Sequence, residues 1–158
     1  MFRELVRKNK ELTKEECINL LVNETRGVLS VIGDNDYPYG MPMNHWYNEE
    51  NGKLYFHCWN IGHRLESLQK HNKVSFCVFD KGYKKEDHWA YMVKSVILFG
   101  KITIIDDMEK IIDITTKLSY KFIQDDEYIK KEIESSGHRT LLLELDIEHM
   151  CGKLVTEA

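Results

Sequence analysis

A glycine followed by two basic side chains, Gly62, His63 and Arg64, comes between an extended stretch and a helix-forming stretch. The first turn of a helix presents free backbone N–H groups and the positive end of the helix dipole. Arg64 adds a permanent charge whose planar donors match phosphate oxygens, and His63 adds a further donor. The spacing predicts a phosphate cradle. The alternative is that Arg64 is a solvated side chain in the first turn of a helix.

The extended segment upstream is interrupted by Pro38, Gly40 and Pro42. Because proline cannot donate a hydrogen bond to a neighbouring strand, main-chain groups here could face a planar heterocycle. Asn44 and His45 could offer directional hydrogen bonds to such a ring. The alternative is an edge strand whose prolines oppose aggregation.

Candidate metal ligands and nucleophiles are poorly placed. His57 and Cys58 are neighbours on an extended segment, so their side chains point to opposite faces and cannot easily share one ion. We therefore predict no metal site. The sequence has no P-loop, GxGxxG fingerprint or nucleophile elbow. His63 is the candidate acid–base group, because an unperturbed histidine exchanges a proton near neutral pH.

These residues must be positioned by short strands and a few helices. Thr13 and Glu16 have capping-box spacing and predict a helix over Lys14–Asn23. Extended segments are predicted at 27–33, 37–47, 53–59, 73–80, 90–105 and 140–150, and further helices at 62–71, 106–122 and 127–134. We expect the first three strands to form a meander. This order lacks regular βαβ alternation and favours a mainly β fold with flanking helices, a closed or partly closed barrel.

Composition limits the function classes. The 158 residues carry 26 acidic and 22 basic side chains, and this net charge of −4 argues against a nucleic-acid binder. No apolar run approaches the roughly 20 residues that span a bilayer, which argues against a membrane protein. The charged opening stretch lacks the apolar core of a secretion signal, so we expect a cytoplasmic protein with four free thiols. No repeat or composition break divides the chain, which predicts one domain over 1–158 with an N-terminal arm at 1–12.

Four runs of the sequence together resemble a known family: GVLSVIGDNDYPYGMPMNHWY, LYFHCWNIGHRLESLQKHNKVSFCVF, SVILFGKITIIDD and DIEHMCGK. They resemble the pyridoxamine 5′-phosphate oxidase-related flavoproteins and, within these, the Nim-type (5-nitroimidazole resistance) subfamily. The resemblance covers nearly the whole chain after Lys10. It implies an antiparallel split β-barrel that binds FMN at the interface of a homodimer.

The resemblance also implies a set of cofactor-binding positions on the second, third and fifth strands and at the start of the helix that follows the third. These are Met43, Asn44, His45, His57, Cys58, Gly62, His63, Arg64, Ser95 and Val96. His63 and Arg64 match the basic positions that bind the phosphate in the family. The chain ends in LLLELDIEHMCGKLVTEA and lacks the arginine-containing substrate motif of true pyridoxamine phosphate oxidases, so the resemblance does not extend to that reaction.

The sequence therefore predicts an FMN-dependent oxidoreductase that passes electrons to a small organic acceptor such as a nitroaromatic, with His63 as the candidate catalytic residue. The alternative is a non-enzymatic module of the same fold that carries a flavin or haem.

Overall fold

Residues 1–157, which the computed structural model describes, form eight strands and four α-helices. The helices are α1 (Lys14–Asn23), α2 (His63–Lys70), α3 (Met108–Ser119) and α4 (Asp126–Ser136). The strands are β1 (Arg26–Ile32), β2 (Pro38–Asn44), β3 (Trp46–Asn48), β4 (Lys53–Trp59), β5 (Lys73–Phe79), β6 (Tyr83–Lys84), β7 (Tyr91–Ile105) and β8 (Thr140–Glu157). Every predicted helix and extended segment is present, and the bounds predicted for α1 are confirmed.

The strands pair antiparallel in the order β2-β1-β5-β7-β8-β4-β3, with β6 added beside β7. The two edge strands, β2 and β3, are separated in the chain by His45 alone. The sheet must therefore curl until its edges lie side by side. This curled antiparallel sheet with flanking helices is the split-barrel fold that the sequence predicted.

The long pair formed by β7 and β8 gives the sheet its bend. Their register shifts between Phe99 and Gly100. A Cβ at Gly100 would collide with the carbonyl oxygen of Asp146, so the backbones approach closely enough at this bulge to require glycine.

The inner face of the curled sheet encloses the main core. Alternation of apolar side chains on β5 buries Val74, Phe76 and Val78. Leu21 and Cys17 of α1 pack against the same core. The predicted capping box begins α1: the Thr13 N–H donates to Glu16 Oε2 at 2.9 Å, and the Glu16 N–H donates to Thr13 Oγ1 at 3.2 Å.

Helices α3 and α4 lie on the opposite, outer face of β4 and β8. Ile111 and Ile114 of α3 form a second apolar cluster with Tyr55 and Leu142. The carboxylate of Glu144 adds a polar tie to α3, because it accepts hydrogen bonds from Lys110, Lys53 and Tyr55 at 2.6–2.8 Å.

The expected three-strand meander is correct only in part. β1 pairs with β2, and β4 pairs with β3, which holds the last residues of the second predicted segment, but β2 and β3 are not one strand and β4 also pairs with β8. The segment 37–47 divides at His45. The ring of His45 is buried, and its backbone N–H donates to the Thr25 carbonyl oxygen at 3.3 Å. This turn carries the chain to the other edge of the sheet.

The arm at 1–12 is tied to the fold near its end, where the Leu12 N–H donates to the Gly152 carbonyl at 3.0 Å. All four cysteines are free thiols, as the sequence predicted. None of the helices within residues 1–157 is both long enough and apolar enough to cross a membrane.

Candidate functional site

A cleft with two guanidinium groups opens where the β1–β2 hairpin meets β4 and the start of α2. We call it the arginine cleft. It has a volume of about 320 Å³ and is lined by Arg26, Pro42, Met43, Asn44, His57 and Arg64. No carboxylate lies among these described lining residues, so the cleft favours an anion.

The turn before α2 aims Arg64 into this cleft. Gly62 adopts a φ of +117°, a conformation that side chains disfavour, and a Cβ there would meet nothing within 4 Å. Gly62 also offers no side chain to cap the helix, which leaves the first backbone N–H groups of α2 for solvent or a ligand. The buried side chains of Leu65 and Leu68 fix the helix against the barrel.

Hydrogen bonds hold both guanidinium groups in place. Arg64 Nε donates to the sulfur of the buried Met41 at 2.9 Å. Arg26 Nε donates to Asn44 Oδ1 at 2.9 Å, across a directly opposed pair of β1 and β2. The cleft is therefore positively charged, and side chains of β2 hold both guanidinium groups.

His57 projects from the outer face of β4 and closes one side of the arginine cleft. Part of its ring is exposed. Desolvation by the surrounding protein atoms and the charge of Arg64 both lower the pKa of His57. The shift favours the neutral ring, in which one nitrogen can donate a hydrogen bond while the other accepts one.

A second, apolar space adjoins the arginine cleft on the far side of His57. We call it the α3–α4 groove. It has a volume of about 280 Å³ and lies between these two helices and the outer face of β4. His57 and Asn44 line both spaces, so the groove and the cleft share a wall.

His63, the predicted catalytic residue, is not among the lining residues described for the cleft or the groove. Its ring stacks on Tyr39 with centroids 4.4 Å apart and an interplanar angle of 15°. Its Nε2 lies 3.5 Å from a carboxylate oxygen of Asp34. The structure thus separates His63 from Arg64, although they are neighbours in sequence.

Four other predicted cofactor residues have side chains buried in the protein interior. They are Met43, His45, Cys58 and Val96. His45 Nε2 is 2.8 Å from the Leu21 carbonyl oxygen, and burial together with the charge of Lys121 lowers the pKa of His45 to about 4. Burial likewise raises the pKa of the Cys58 thiol. Of these four residues, Met43 alone lines the arginine cleft.

Ser95 lies apart from the cleft, on β7 between Phe79 and Lys153 of the neighbouring strands. Of the ten predicted cofactor residues, the arginine cleft brings together Met43, Asn44, His57 and Arg64. Sequence reasoning missed Arg26. The register of the β1–β2 hairpin would have indicated Arg26, because a hairpin that pairs Ser30 with Gly40 also places Arg26 opposite Asn44.

The outer surface around the cleft continues across the sheet as an apolar face. Val28, Ile97, Phe79 and Phe99 are exposed there, on β1, β5 and β7. Val28 is paired with Pro42 of the cleft lining, so the apolar face and the arginine cleft are continuous.

Comparison with known proteins identifies the family. Residues 13–154 match the pyridoxamine 5′-phosphate oxidase family. This chain belongs to that family. No curated protein matches the sequence.

Solved structures share the fold at low identity. A protein of Bacteroides thetaiotaomicron described as a candidate 5-nitroimidazole antibiotic resistance protein is 19% identical, with a TM-score of 0.77 over 93% of this chain and 87% of that one. A conserved hypothetical protein of Mycobacterium tuberculosis is 14% identical, with a TM-score of 0.80 over 95% and 90%. A FAD-binding protein of Mesorhizobium loti is 20% identical, with a TM-score of 0.66 over 92% and 97%.

Proposed function

We propose that this protein is an FMN-dependent oxidoreductase of the Nim type that reduces a small organic acceptor such as a nitroaromatic compound. The observation that carries the proposal is the arginine cleft, in which Arg26 and Arg64 face one space without a carboxylate among its described lining residues. Two guanidinium groups beside the start of a helix are suited to a terminal phosphate.

The donors present fit a flavin mononucleotide. Arg64 and Arg26 would hold the phosphate, and Gly62 leaves the first N–H groups of α2 open beside it. Asn44 and the neutral ring of His57 would hydrogen-bond polar atoms of the cofactor. When bound, FMN would relay two electrons from a hydride donor to the acceptor, so that a nitro group takes up two electrons and two protons and becomes a nitroso group and water.

The similar proteins support a flavin and this class of acceptor. One is described as FAD-binding and another as a candidate 5-nitroimidazole resistance protein. The family to which the chain belongs is named for the oxidation of a phosphorylated amine. We extend the flavin and the acceptor to this chain because its own cleft supplies the phosphate-binding groups.

We propose further that a second copy of the chain covers the apolar sheet face. Exposed apolar patches of this kind mark interaction surfaces in soluble proteins. Because the face is continuous with the arginine cleft through Val28 and Pro42, a partner subunit seated on it would border the bound cofactor. This arrangement gives the homodimer with the flavin at its interface that the sequence predicted.

The visible absorption spectrum of the purified protein tests the proposal, followed by chromatography of any chromophore released on denaturation. We expect two broad flavin bands and released FMN. A sharp Soret band would instead favour the haem-carrier alternative. A colourless protein that also fails to bind added FMN would contradict the proposal.

A further inference from the structure

The α3–α4 groove has the size and the walls of a site for a small aromatic ring. Its apolar walls come from both helices, through Ile111 and Leu118 of α3 and Ile129 and Ile133 of α4. An apolar cavity of about 150 Å³ already accommodates benzene. The groove, at about 280 Å³, therefore has room for one substituted ring.

The polar groups of the groove select against anions. Glu132 is the one carboxylate among the described lining residues, and no lysine or arginine is found among them. Thr115 also lines the groove, and its buried hydroxyl has no hydrogen-bond partner within residues 1–157.

The groove and the arginine cleft therefore differ in the charge they accept, although they share a wall. The cleft presents Arg26 and Arg64 and favours a phosphate, whereas the groove favours a neutral molecule. His57 and Asn44 face both. A molecule seated in the groove would therefore contact the same two side chains as a ligand bound in the cleft.

We propose that the α3–α4 groove is the acceptor-binding subsite of this protein, and that it takes a neutral aromatic molecule of one ring whose polar substituent lies toward His57 and Asn44. This inference rests on the proposed function, because it names the place and the charge class of the acceptor. It assigns the acceptor to a surface made by the helices inserted between β7 and β8.

Two adjacent serines provide a matched pair of variants. Ser136 lines the groove and Ser135 does not, yet both hydroxyls donate to the Glu132 carbonyl oxygen. We expect Ser136→Phe to fill the groove and Ser135→Phe to leave it open. The probes are 4-nitrobenzyl alcohol and 4-nitrobenzoate, which share a ring and differ in charge.

The measurement is isothermal titration calorimetry of both probes, with the FMN affinity of each variant measured separately. Wild type and Ser135→Phe should bind the alcohol at least about tenfold more tightly than the benzoate, and Ser136→Phe should lose about tenfold or more in affinity for the alcohol. All three proteins should bind FMN equally, which also shows that the variants are folded. Equal affinity of Ser136→Phe and wild type for the alcohol would overturn the inference.

The variant Glu132→Lys gives a second test, because it changes the charge at an exposed position of the groove lining without filling the groove. Its added positive charge should shift the preference of the groove toward 4-nitrobenzoate, and an unchanged preference would count against the assignment. If FMN binds none of the proteins, that result contradicts the proposed function alone. The probe titrations on the FMN-free protein still decide whether the groove binds a neutral ring.

Discussion

His57 is the side chain on which the arginine cleft and the α3–α4 groove converge. Its position follows from strand alternation, because Cys58 beside it turns into the core and leaves the His57 ring on the outer face. A neutral imidazole there can bind polar groups on both sides without repelling Arg64.

We predict that the pKa of His57 lies below the ordinary histidine value of about 6.5. Desolvation and the charge of Arg64 lower this pKa, so Arg64→Ala should raise it toward the ordinary value. NMR titration of the ring Cε1 proton in the two proteins measures the change. A His57 pKa that stays the same in Arg64→Ala would show that Arg64 is not close enough to act on the ring.

The cleft residues were only partly predictable from sequence. The motif around Gly62 indicated Arg64, which lines the arginine cleft, and its binding of a phosphate stays a prediction. The same motif placed His63 at the site, whereas its ring stacks on Tyr39. Adjacent residues in the first turn of a helix diverge by about 100°, and sequence alone does not show which of them faces the cleft. The catalytic role of His63 stays a prediction.

Helix α3 owes its place on the sheet to one buried carboxylate as well as to its apolar stripe. Glu144 of β8 is only 6% exposed. Burial alone would raise its pKa, but the hydrogen bonds from Lys110, Lys53 and Tyr55 outweigh this and lower the pKa of Glu144 to about 2. Because Lys110 lies in the first turn of α3, this network fixes the start of the helix that forms one wall of the α3–α4 groove.

We predict that Glu144→Gln lowers the free energy of unfolding at pH 7 by about 1–3 kcal/mol, because the amide weakens these hydrogen bonds and removes the charge that Lys53 and Lys110 neutralise. Glu148 lies on the same strand as Glu144 and forms an exposed ion pair with Lys101 of β7. Glu148→Gln, which removes this ion pair, should lower the free energy of unfolding by less than about 1 kcal/mol. Urea denaturation of the three proteins measures the difference. Equal losses in the two variants would contradict the assigned role of Glu144.

The pH dependence of this effect has a definite sign. The folded pKa of Glu144, about 2, lies below the value of about 4.3 for an unfolded glutamate. The carboxylate therefore stabilises the fold above about pH 4.3, and its contribution is lost as the pH falls toward 2. The stability gap between wild type and Glu144→Gln should narrow over that range. A gap that widens on acidification would contradict the assigned pKa.

Elements with local signals were predicted well, and elements defined by distant partners were not. The α1 helix carries its own capping box, so its bounds could be predicted from the sequence. The division of segment 37–47 into β2 and β3 depends on His45 being buried against Leu21, a contact 24 residues away in the chain. The extended pattern of the segment does not reveal that its two halves lie at opposite edges of the sheet.

The proposed dimer depends on the apolar sheet face. Ile97 is 42% exposed in the middle of this face, and Ile112 on α3 is also 42% exposed but lies away from it. A second copy of the chain can match this face through a two-fold axis.

We predict that Ile97→Lys converts a dimer of about twice the 18.7 kDa chain mass into a monomer, because a charge at the centre of the interface would be buried without a partner. Ile112→Lys, with the same chemistry at equal exposure, should leave the dimer intact. Light scattering after size-exclusion chromatography measures both masses. A wild-type monomer, or a dimer that survives Ile97→Lys, would exclude this face as the interface.

The central claim is that Arg64 and the arginine cleft recognise the phosphate of a flavin. Comparing the affinities of FMN and riboflavin tests it, since the two differ only in that phosphate. Charge-assisted hydrogen bonds are worth about 1.5–3 kcal/mol, so we predict that wild type binds FMN roughly 10–150-fold more tightly than riboflavin. Arg64→Ala should lose most of that difference, whereas Lys70→Ala, which removes an exposed cation from the same helix, should keep it.

Fluorescence titration of the three proteins with both flavins gives these affinities directly. The predicted result is a phosphate preference that disappears in Arg64→Ala alone. A wild-type protein that binds both flavins equally, or a preference that Arg64→Ala leaves unchanged, would contradict the account.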